Sequence, residues 1–460
     1  MDIYHIFKEV NKSELHYVLM TGNADLEKAF NGKGDFDILI DKKDSGKFEI
    51  LLLKLGFKRR ISTFNNYYFG VDNFLYYDNE NEKTHHFHIH YEVIFGPKNG
   101  LNYYFKDSNI WFGNSYFHNN LSIRIVNPEV EYVFLVLRIL VSGNNFKKIK
   151  SFIKGRENSK YVLKHSKLIK LVNEDKLKLI LSDCFQEFQN IISIFYKAKG
   201  DLSVIKEIFL EKKTKKILYK NLRVHPLVND VFNNLREESK KVSSHALSTN
   251  GKIISLIGVD GAGKSTLSNE IKKWLDYKLS ARNIFLGQVK KSKINWILRK
   301  VSKVFKVLKL SSIANYIKDY THIINAKFRF KGVEESHHLT QRGYYIVTDR
   351  YPLKEFWNMD LIMDGPKLRK KSALYKKERN IYNRIDNYPH LIIILKIPIE
   401  VSISRKPEEH SDPKRVDNLK KKIKAITSIE NLTNVIVVDA TQSYEAVKKE
   451  VKSIIWKNIN

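Results

Sequence analysis

The amino-acid sequence predicts a mixed α/β protein: a doubly wound parallel sheet in the C-terminal half, an α+β domain at the N-terminus and a helical bundle between them. Three observations carry this reading. The apolar run Ile253–Ile257 feeds a glycine-rich turn that opens an amphipathic helix, and later apolar runs at Tyr344–Thr348, Leu391–Ile397 and Val435–Val438 alternate with helical stretches, the pattern of parallel β-α-β units. Near the N-terminus, Asp35 and Asp37 alternate with Phe36 and Ile38, a period of two that belongs to a strand. After the helix-start signal Asn127-Pro128-Glu129, Val130, Val133, Phe134, Leu137 and Leu140 recur at helical spacing, and similar patterns continue to about Leu235. At 460 residues the chain exceeds one ordinary core, and two or three domains are expected.

Composition narrows the class. The single cysteine, Cys184, excludes a disulfide framework and points to a reducing compartment. The stretch Met1–Glu9 lacks the charged and apolar regions of a secretory signal, and the longest apolar runs are too short, or too broken by Glu131 and Arg138, to span a bilayer. A cytoplasmic protein is expected. Against 50 acidic residues stand 81 Lys and Arg, a formal charge of +31. Such a balance suits polyanions: nucleic acid, an acidic membrane surface or phosphorylated substrates. The competing reading is a compositionally biased genome, because the lysines are scattered through every segment alongside abundant Asn and Ile and no recognised nucleic-acid module accompanies them.

In the N-terminal domain an apolar stretch from Tyr17 leads to Gly22-Asn23, and a helical interval separates it from Gly34-Asp35-Phe36-Asp37. Period two puts the Asp35 and Asp37 carboxylates on one face, where a divalent cation between them relieves their repulsion. Mg²⁺ held there would clamp a nucleoside triphosphate, with the Gly22-Asn23 backbone approaching its phosphates. Gly22, Gly34-Asp35-Phe36-Asp37, Gly56-Phe57 and Phe87-His88-Ile89-His90-Tyr91-Glu92 together resemble the minimal nucleotidyltransferases of the DNA polymerase β superfamily. The resemblance implies a nucleotidyltransferase-like domain over residues 1–126, with Asp35 and Asp37 in its catalytic metal site. Where the family pattern has its third carboxylate this chain has His88, and Glu92, on the same face by alternation, is the substitute. A hard cation prefers oxygen, so His88 weakens a magnesium site. The cluster His85, His86, His88 and His90 reads as solvated or hydrogen-bonded rather than as a zinc site, since no cysteine accompanies it and its spacing lacks a second ligand pair.

Residues 127–235 are expected to form the helical domain, and the polar stretch 236–250, poor in bulky apolar residues, an interdomain linker. Residues 251–460 then form a domain around the turn after Ile257. Gly258, Gly263, Lys264 and Ser265 fit G-x-x-x-x-G-K-[ST], in which glycines let backbone N–H groups close around phosphates. Lys264 would reach the β/γ-phosphates and the Ser265 hydroxyl would hold Mg²⁺. A strand is expected over Asn283–Leu286 and a basic helical stretch over Lys290–Lys331, in which Trp296, Ile297, Val301, Val304, Phe305 and Leu308 recur at helical intervals. A helix packed on its own sheet, a membrane-surface helix and a wall for an anionic substrate share that signature. Asp349 and Arg350 end an apolar strand at the sheet edge where ligands bind in doubly wound folds. Asp349 would organise the Mg²⁺ shell or accept the attacking group's proton, and Arg350 would neutralise phosphoryl oxygens. Arg405, Lys406 and Arg415 lie where a mobile lid would bring cations onto the transferred group and exclude water.

Val259–Thr266, Asp349-Arg350-Tyr351, the Arg405 region and the terminal Val-Asp-Ala strand together resemble the thymidylate kinase family of P-loop nucleoside monophosphate kinases, over roughly Gly251–Asn460. The resemblance implies that ATP binds across Gly258, Asp260, Gly261, Gly263, Lys264, Ser265 and Thr266. It places Asp260 toward the acceptor, Asp349 and Arg350 at the transfer centre, and Arg405, Lys406 and Arg415 over ATP. The Arg-Glu-Pro-Gly segment by which that family helps bind its nucleotide acceptor is replaced here by Phe285-Leu286-Gly287-Gln288-Val289. Asp349–Pro352, Asp364-Gly365-Pro366 and Arg405–Glu408 are more similar to thymidylate-kinase-like proteins of bacterial surface-polysaccharide genes. The expected function is therefore ATP- and Mg²⁺-dependent phosphoryl transfer to a nucleoside monophosphate, sugar or polyol. The alternative is a nucleotide- or nucleic-acid-binding regulatory or defence protein whose N-terminal site is non-catalytic.

Overall fold

A computed structural model describes residues 1–20, 22–23, 25–62, 70–95, 103–105, 107–141, 160–185, 188–200, 222–224, 245–287, 293–357, 365–409 and 412–459. The chain divides into two compact units, Met1–Ser244 and His245–Asn460.

The first unit opens with α1 (Ile3–Lys12), whose N-terminus is capped by the Asp2 carboxylate accepting from the His5 backbone N–H at 2.8 Å. Ile3, Ile6, Phe7 and Val10 are its buried stripe. There follow β1 (Tyr17–Leu19), α2 (Leu26–Phe30), β2 (Asp35–Ile40), α3 (Ser45–Lys54), β3 (Lys58–Ser62), β4 (Val71–Asp78) and β5 (Lys83–His90). After these come β6 (Ile94–Phe95), β7 (Tyr103–Phe105), α4 (Asn109–Gly113), β8 (Ser115–His118) and β9 (Ile123–Val126). Within this unit the main sheet runs β3-β4-β5-β2-β1-β9-β8. One of its faces packs Phe36 and Phe87 against Phe7, Phe30 and Phe57. Because side chains alternate, their neighbours Asp35, Asp37, His86 and His88 point to the opposite face.

The helical region that follows contains α5 (Pro128–Val141), α6 (Lys160–Leu168), α7 (Glu174–Cys184) and α8 (Phe188–Gly200). They share a second core that includes Tyr132, Leu137, Leu177, Leu181, Ile191 and Phe195. One part of the expected all-helical stretch is a strand: β10 (Leu222–Val224) pairs antiparallel with β7, in a three-stranded sheet with β6. Backbone pairing with a distant strand overrides local periodicity there. The rest of 201–235 lies outside the described residues.

In the second unit the expected linker 236–250 falls partly outside the described residues, but His245–Leu247 is a strand, β11, and its His245 carbonyl accepts from Ser280 N at 2.8 Å. Polar side chains do not prevent a backbone from pairing. The remaining elements are β12 (Ile253–Gly258), α9 (Lys264–Asp276), β13 (Ala281–Asn283), α10 (Lys293–Val307), α11 (Ser311–Gln341), β14 (Tyr345–Thr348) and α12 (Tyr375–Asn383). The chain closes with β15 (Leu391–Lys396), α13 (Ile399–Arg405), α14 (Pro413–Thr427), β16 (Val435–Asp439) and α15 (Tyr444–Asn458). The sheet order β13-β14-β12-β15-β16 is parallel throughout. The strand expected at Asn283–Leu286 thus lies mostly before it, at Ala281–Asn283.

The basic stretch expected over Lys290–Lys331 is two helices, of which α11 packs on the sheet against β14 and β12 and α10 does so through α11. Helix α10 lies on α11, with Asn295 buried and the Ser302 hydroxyl donating to the Ala314 carbonyl at 2.8 Å. Trp296, Ile297, Val304 and Leu308 are instead exposed. Among the described residues no helix is long and apolar enough to cross a membrane.

Candidate functional site

Strand β12 is the central strand of its sheet, and its neighbours β14 and β15 run parallel to it, so three carboxyl ends open on one edge. The loop Val259–Gly263 leaves β12 there and enters α9. Two of its glycines have positive φ, Gly261 at +86° and Gly263 at +84°, a backbone that L side chains rarely adopt. Gly258 is needed for a different reason: a Cβ on it would lie 2.7 Å from the Leu395 carbonyl oxygen of the adjoining strand. The loop therefore curls tightly, and α9 begins with its free N–H groups facing the same space.

The motif side chains converge on this edge. Lys264 folds over the loop and donates to the Val259 carbonyl at 2.7 Å. Burial pushes its ammonium down to about 8; Asp260 and Asp349 oppose the shift, while Arg350 and Lys422 add to it. The Ser265 hydroxyl, on the first turn of α9, donates to the Asp349 carboxylate at 2.8 Å, and Thr266 beside it is exposed. Asp349 and Arg350 follow β14 directly, and Arg350 is close enough to act electrostatically on both Lys264 and Asp260. Residues 84 positions apart in sequence are thus joined by one hydrogen bond.

Asp260 is held by a residue with no sequence signature. Lys422, inside the Lys-rich α14, donates to its carboxylate at 2.6 Å. Burial works to raise the Asp260 carboxyl, yet the Lys422 ammonium, aided by Lys264 and Arg350, holds it below its ordinary value. Ser402 donates to the Asp260 carbonyl at 2.5 Å, tying α13 to the loop. Nothing local distinguishes Lys422 from Lys420 or Lys421.

Of the cations assigned to a lid, Arg405 ends α13 and its guanidinium donates to the Gly261 carbonyl at 3.3 Å and the Ala440 carbonyl at 3.1 Å. It clamps the loop's backbone. Lys406 is exposed beside it, and Arg415 on α14 donates to the Glu408 carbonyl at 3.4 Å. Residues 410–411 between them lie outside the described residues, as do Gln288, Val289 and Asp364.

The N-terminal candidates are arranged differently from expectation. The Gly22 and Asn23 N–H groups, offered by the sequence to phosphates, donate to the buried Glu131 carboxylate at 3.4 and 2.9 Å, and the Asn23 side chain reaches the same oxygen at 2.9 Å. Helix α5 brings this carboxylate into the turn, and Lys164 pairs with it at 2.8 Å. An anion of the protein already fills that role. Strand β5 ends at His90, so the alternation that would place Glu92 with Asp35 and Asp37 stops short of it. Instead β2 and β5 pair in parallel with Asp35 opposite His86 and Asp37 opposite His88. His86 Nδ1 lies 3.2 Å from Asp35 and His88 Nδ1 2.9 Å from Asp37. Of the two states expected for the histidines, hydrogen-bonded rather than solvated is what the structure shows: His85 is buried on the other side of the strand against the Ala29 carbonyl, and His86 is buried beside Asp35.

Comparison with known proteins finds relatives of the C-terminal region. The thymidylate kinase family model matches residues 258–451. The uncharacterized ATP-binding protein YghR of Escherichia coli K12 is 27% identical over 225 residues, covering 44% of this chain and 86% of that protein. The probable thymidylate kinase 1 of Saccharolobus solfataricus is 24% identical over 210 residues, covering 45% of this chain and 98% of that one. Among solved structures, thymidylate kinase from Candida albicans is 16% identical and covers 45% of this chain and 92% of its own, with a TM-score of 0.32. The C-terminal region is thymidylate-kinase-like.

Proposed function

We propose that residues 251–460 form an ATP-dependent kinase that transfers the γ-phosphoryl group to a hydroxyl or phosphate of a small-molecule acceptor. The observation that carries this is the hydrogen bond between Ser265, on the phosphate-binding loop, and Asp349, at the end of the neighbouring strand. It sets a hydroxyl and a carboxylate oxygen side by side where the γ-phosphate would lie. Two hard oxygen donors so placed fit Mg²⁺, which takes one or two protein oxygens and keeps its waters. Bound there, the ion would neutralise charge building on the phosphates.

The other residues act by position and charge, the main sources of rate in phosphoryl transfer. On nucleotide binding Lys264 leaves the Val259 carbonyl for the β- and γ-phosphates, and the N–H groups of the Gly261–Ser265 turn close around them. Arg350 faces the transferred group. Arg405 keeps the loop in shape through Gly261, and Lys406 and Arg415 supply further cations around ATP. Asp260, restrained by Lys422, faces the acceptor. The kinase family match and the ATP-binding character of YghR support the donor. The acceptor is a nucleoside monophosphate, a sugar or a polyol, with the replaced segment 285–289 favouring something other than thymidylate. By their sequence resemblance, residues 1–126 form a separate nucleotidyltransferase-like module, with helices α5–α8 as its partner.

The test is ATP consumption by wild type and Lys264→Ala across a panel of nucleoside monophosphates, sugars and polyols, with products identified by mass spectrometry. A phosphorylated product whose formation falls by at least about 10²–10³-fold in the variant is expected. Tight nucleotide binding with no product from any acceptor would favour a regulatory role.

A further inference from the structure

The parallel pairing of β2 and β5 brings five potential metal ligands to one sheet face. Two groups have ligand atoms that all lie within 4.8 Å of one another: Asp37, His88 and His90, and Asp35, His86 and His88. In the first group His88 Nδ1 is 2.9 Å and His90 Nε2 is 3.7 Å from the same Asp37 oxygen. Donors bound to a tetrahedral zinc ion at about 2.0–2.1 Å stand about 3.3 Å apart, and the observed separations bracket that value. Both ring nitrogens of His90 are buried; Nδ1 has no hydrogen-bond partner, and Nε2 has the Asp37 carboxylate at 3.7 Å, beyond hydrogen-bond reach. Imidazole nitrogens removed from water with no partner, or only a distant one, are costly, and an ion bound between Nε2 and the Asp37 carboxylate would satisfy that side of the ring.

We propose that Asp37, His88 and His90 bind a late first-row divalent cation, zinc foremost, with coordination positions left open to water or an anionic ligand. Two imidazoles and one carboxylate suit such a metal; Mg²⁺ calls for oxygen donors in octahedral geometry. This departs from the magnesium site that the sequence resemblance implies, since Glu92 is not in either group. His86 stands at the margin: its Nε2 lies 3.0 Å from the Asn73 side-chain oxygen and 3.3 Å from the Arg60 guanidinium, one of which it bonds according to its tautomer, while its Nδ1 faces Asp35. The site is independent of the kinase reading and survives its failure.

The experiment uses the full-length chain. Protein stripped with a chelator is equilibrated with zinc chloride or magnesium chloride, desalted and analysed for metal. Wild type is expected to retain zinc in equimolar amount and no magnesium. Cobalt(II) chloride, added in place of zinc, is expected to give the intense visible bands of a low-coordinate nitrogen-ligated ion. Asp37→Asn, His88→Ala and His90→Ala should each weaken zinc binding beyond the roughly 10–100-fold typical of an outer-shell change, whereas His86→Ala should stay within it. Circular dichroism of each variant reports whether it is folded. A wild-type chain that retains no zinc overturns the proposal without recourse to any variant. So does retention of zinc by folded His90→Ala, or loss of it from folded His86→Ala alone.

Discussion

At the scale of single residues, the phosphate-binding loop depends on atoms that are absent as much as on those present. Gly258 sits where β12 meets β15, opposite Leu395 in the parallel ladder. A methyl group there meets the Leu395 carbonyl oxygen at 2.7 Å, and that oxygen cannot move without disturbing the strand. Gly258→Ala is expected to lose roughly 1–3 kcal/mol of stability, the usual range for overpacking, measurable by urea denaturation. The sequence motif names Gly258, Gly263, Lys264 and Ser265 because their spacing is local. Lys422 escaped it, since the contact with Asp260 crosses 162 positions of chain. Glu131 escaped for the same reason, being 108 positions from the Asn23 N–H that it accepts.

At the scale of elements, the central strand β12 is anchored at its start by an unusual partner. The Ile253 N–H donates to His390 Nδ1 at 3.0 Å, which requires that nitrogen to be unprotonated. Partial desolvation, with the nearby charges of Lys252 and His337, pushes the His390 pKa down from 6.5 to about 4. Because the folded value lies below the unfolded one, this stabilisation is complete above about pH 6.5 and is lost as pH falls toward about 4. Wild type should therefore exceed His390→Leu in stability at pH 7 by roughly 1 kcal/mol, the net worth of one hydrogen bond. The advantage should shrink through pH 5, and equal unfolding midpoints at both pH values would remove the idea. Helix α10 makes a complementary point. Its apolar positions were visible as a periodic stripe, but periodicity does not say which neighbour covers the stripe, and α11 covers only part of it.

At the scale of the whole molecule, two units with separate cores share one chain. A ligand that binds only the folded form of one unit stabilises that unit by RT ln(1 + [L]/Kd), about 2.7 kcal/mol when the ligand is at 100 times Kd. MgATP is therefore expected to raise the calorimetric transition belonging to residues 245–460 and to leave that of residues 1–244 in place. A shift confined to the other transition would move nucleotide binding to the N-terminal unit. The formal charge of +31 bears on this measurement only through salt. Binding by a small phosphate pocket should weaken modestly between low and moderate ionic strength, whereas contact with a long polyanion would weaken steeply.

The sequence alone located the strands β12, β14, β15 and β16, the glycine-lined turn, Lys264 and Ser265, and the carboxylate-guanidinium pair that follows β14. Each of these is written in contiguous residues, where periodicity and backbone chemistry act over a few positions. It also placed Asp35 and Asp37 on one face. Tertiary structure decided what those residues meet: Lys422 on Asp260, Asp349 on Ser265, Glu131 in the Gly22 turn, and three histidines of β5 beside the two aspartates of β2. These pairings depend on which strand lies next to which and in what register. A one-residue slip between β2 and β5 would carry His88 to the opposite face from Asp37, and no local pattern in either strand records that choice.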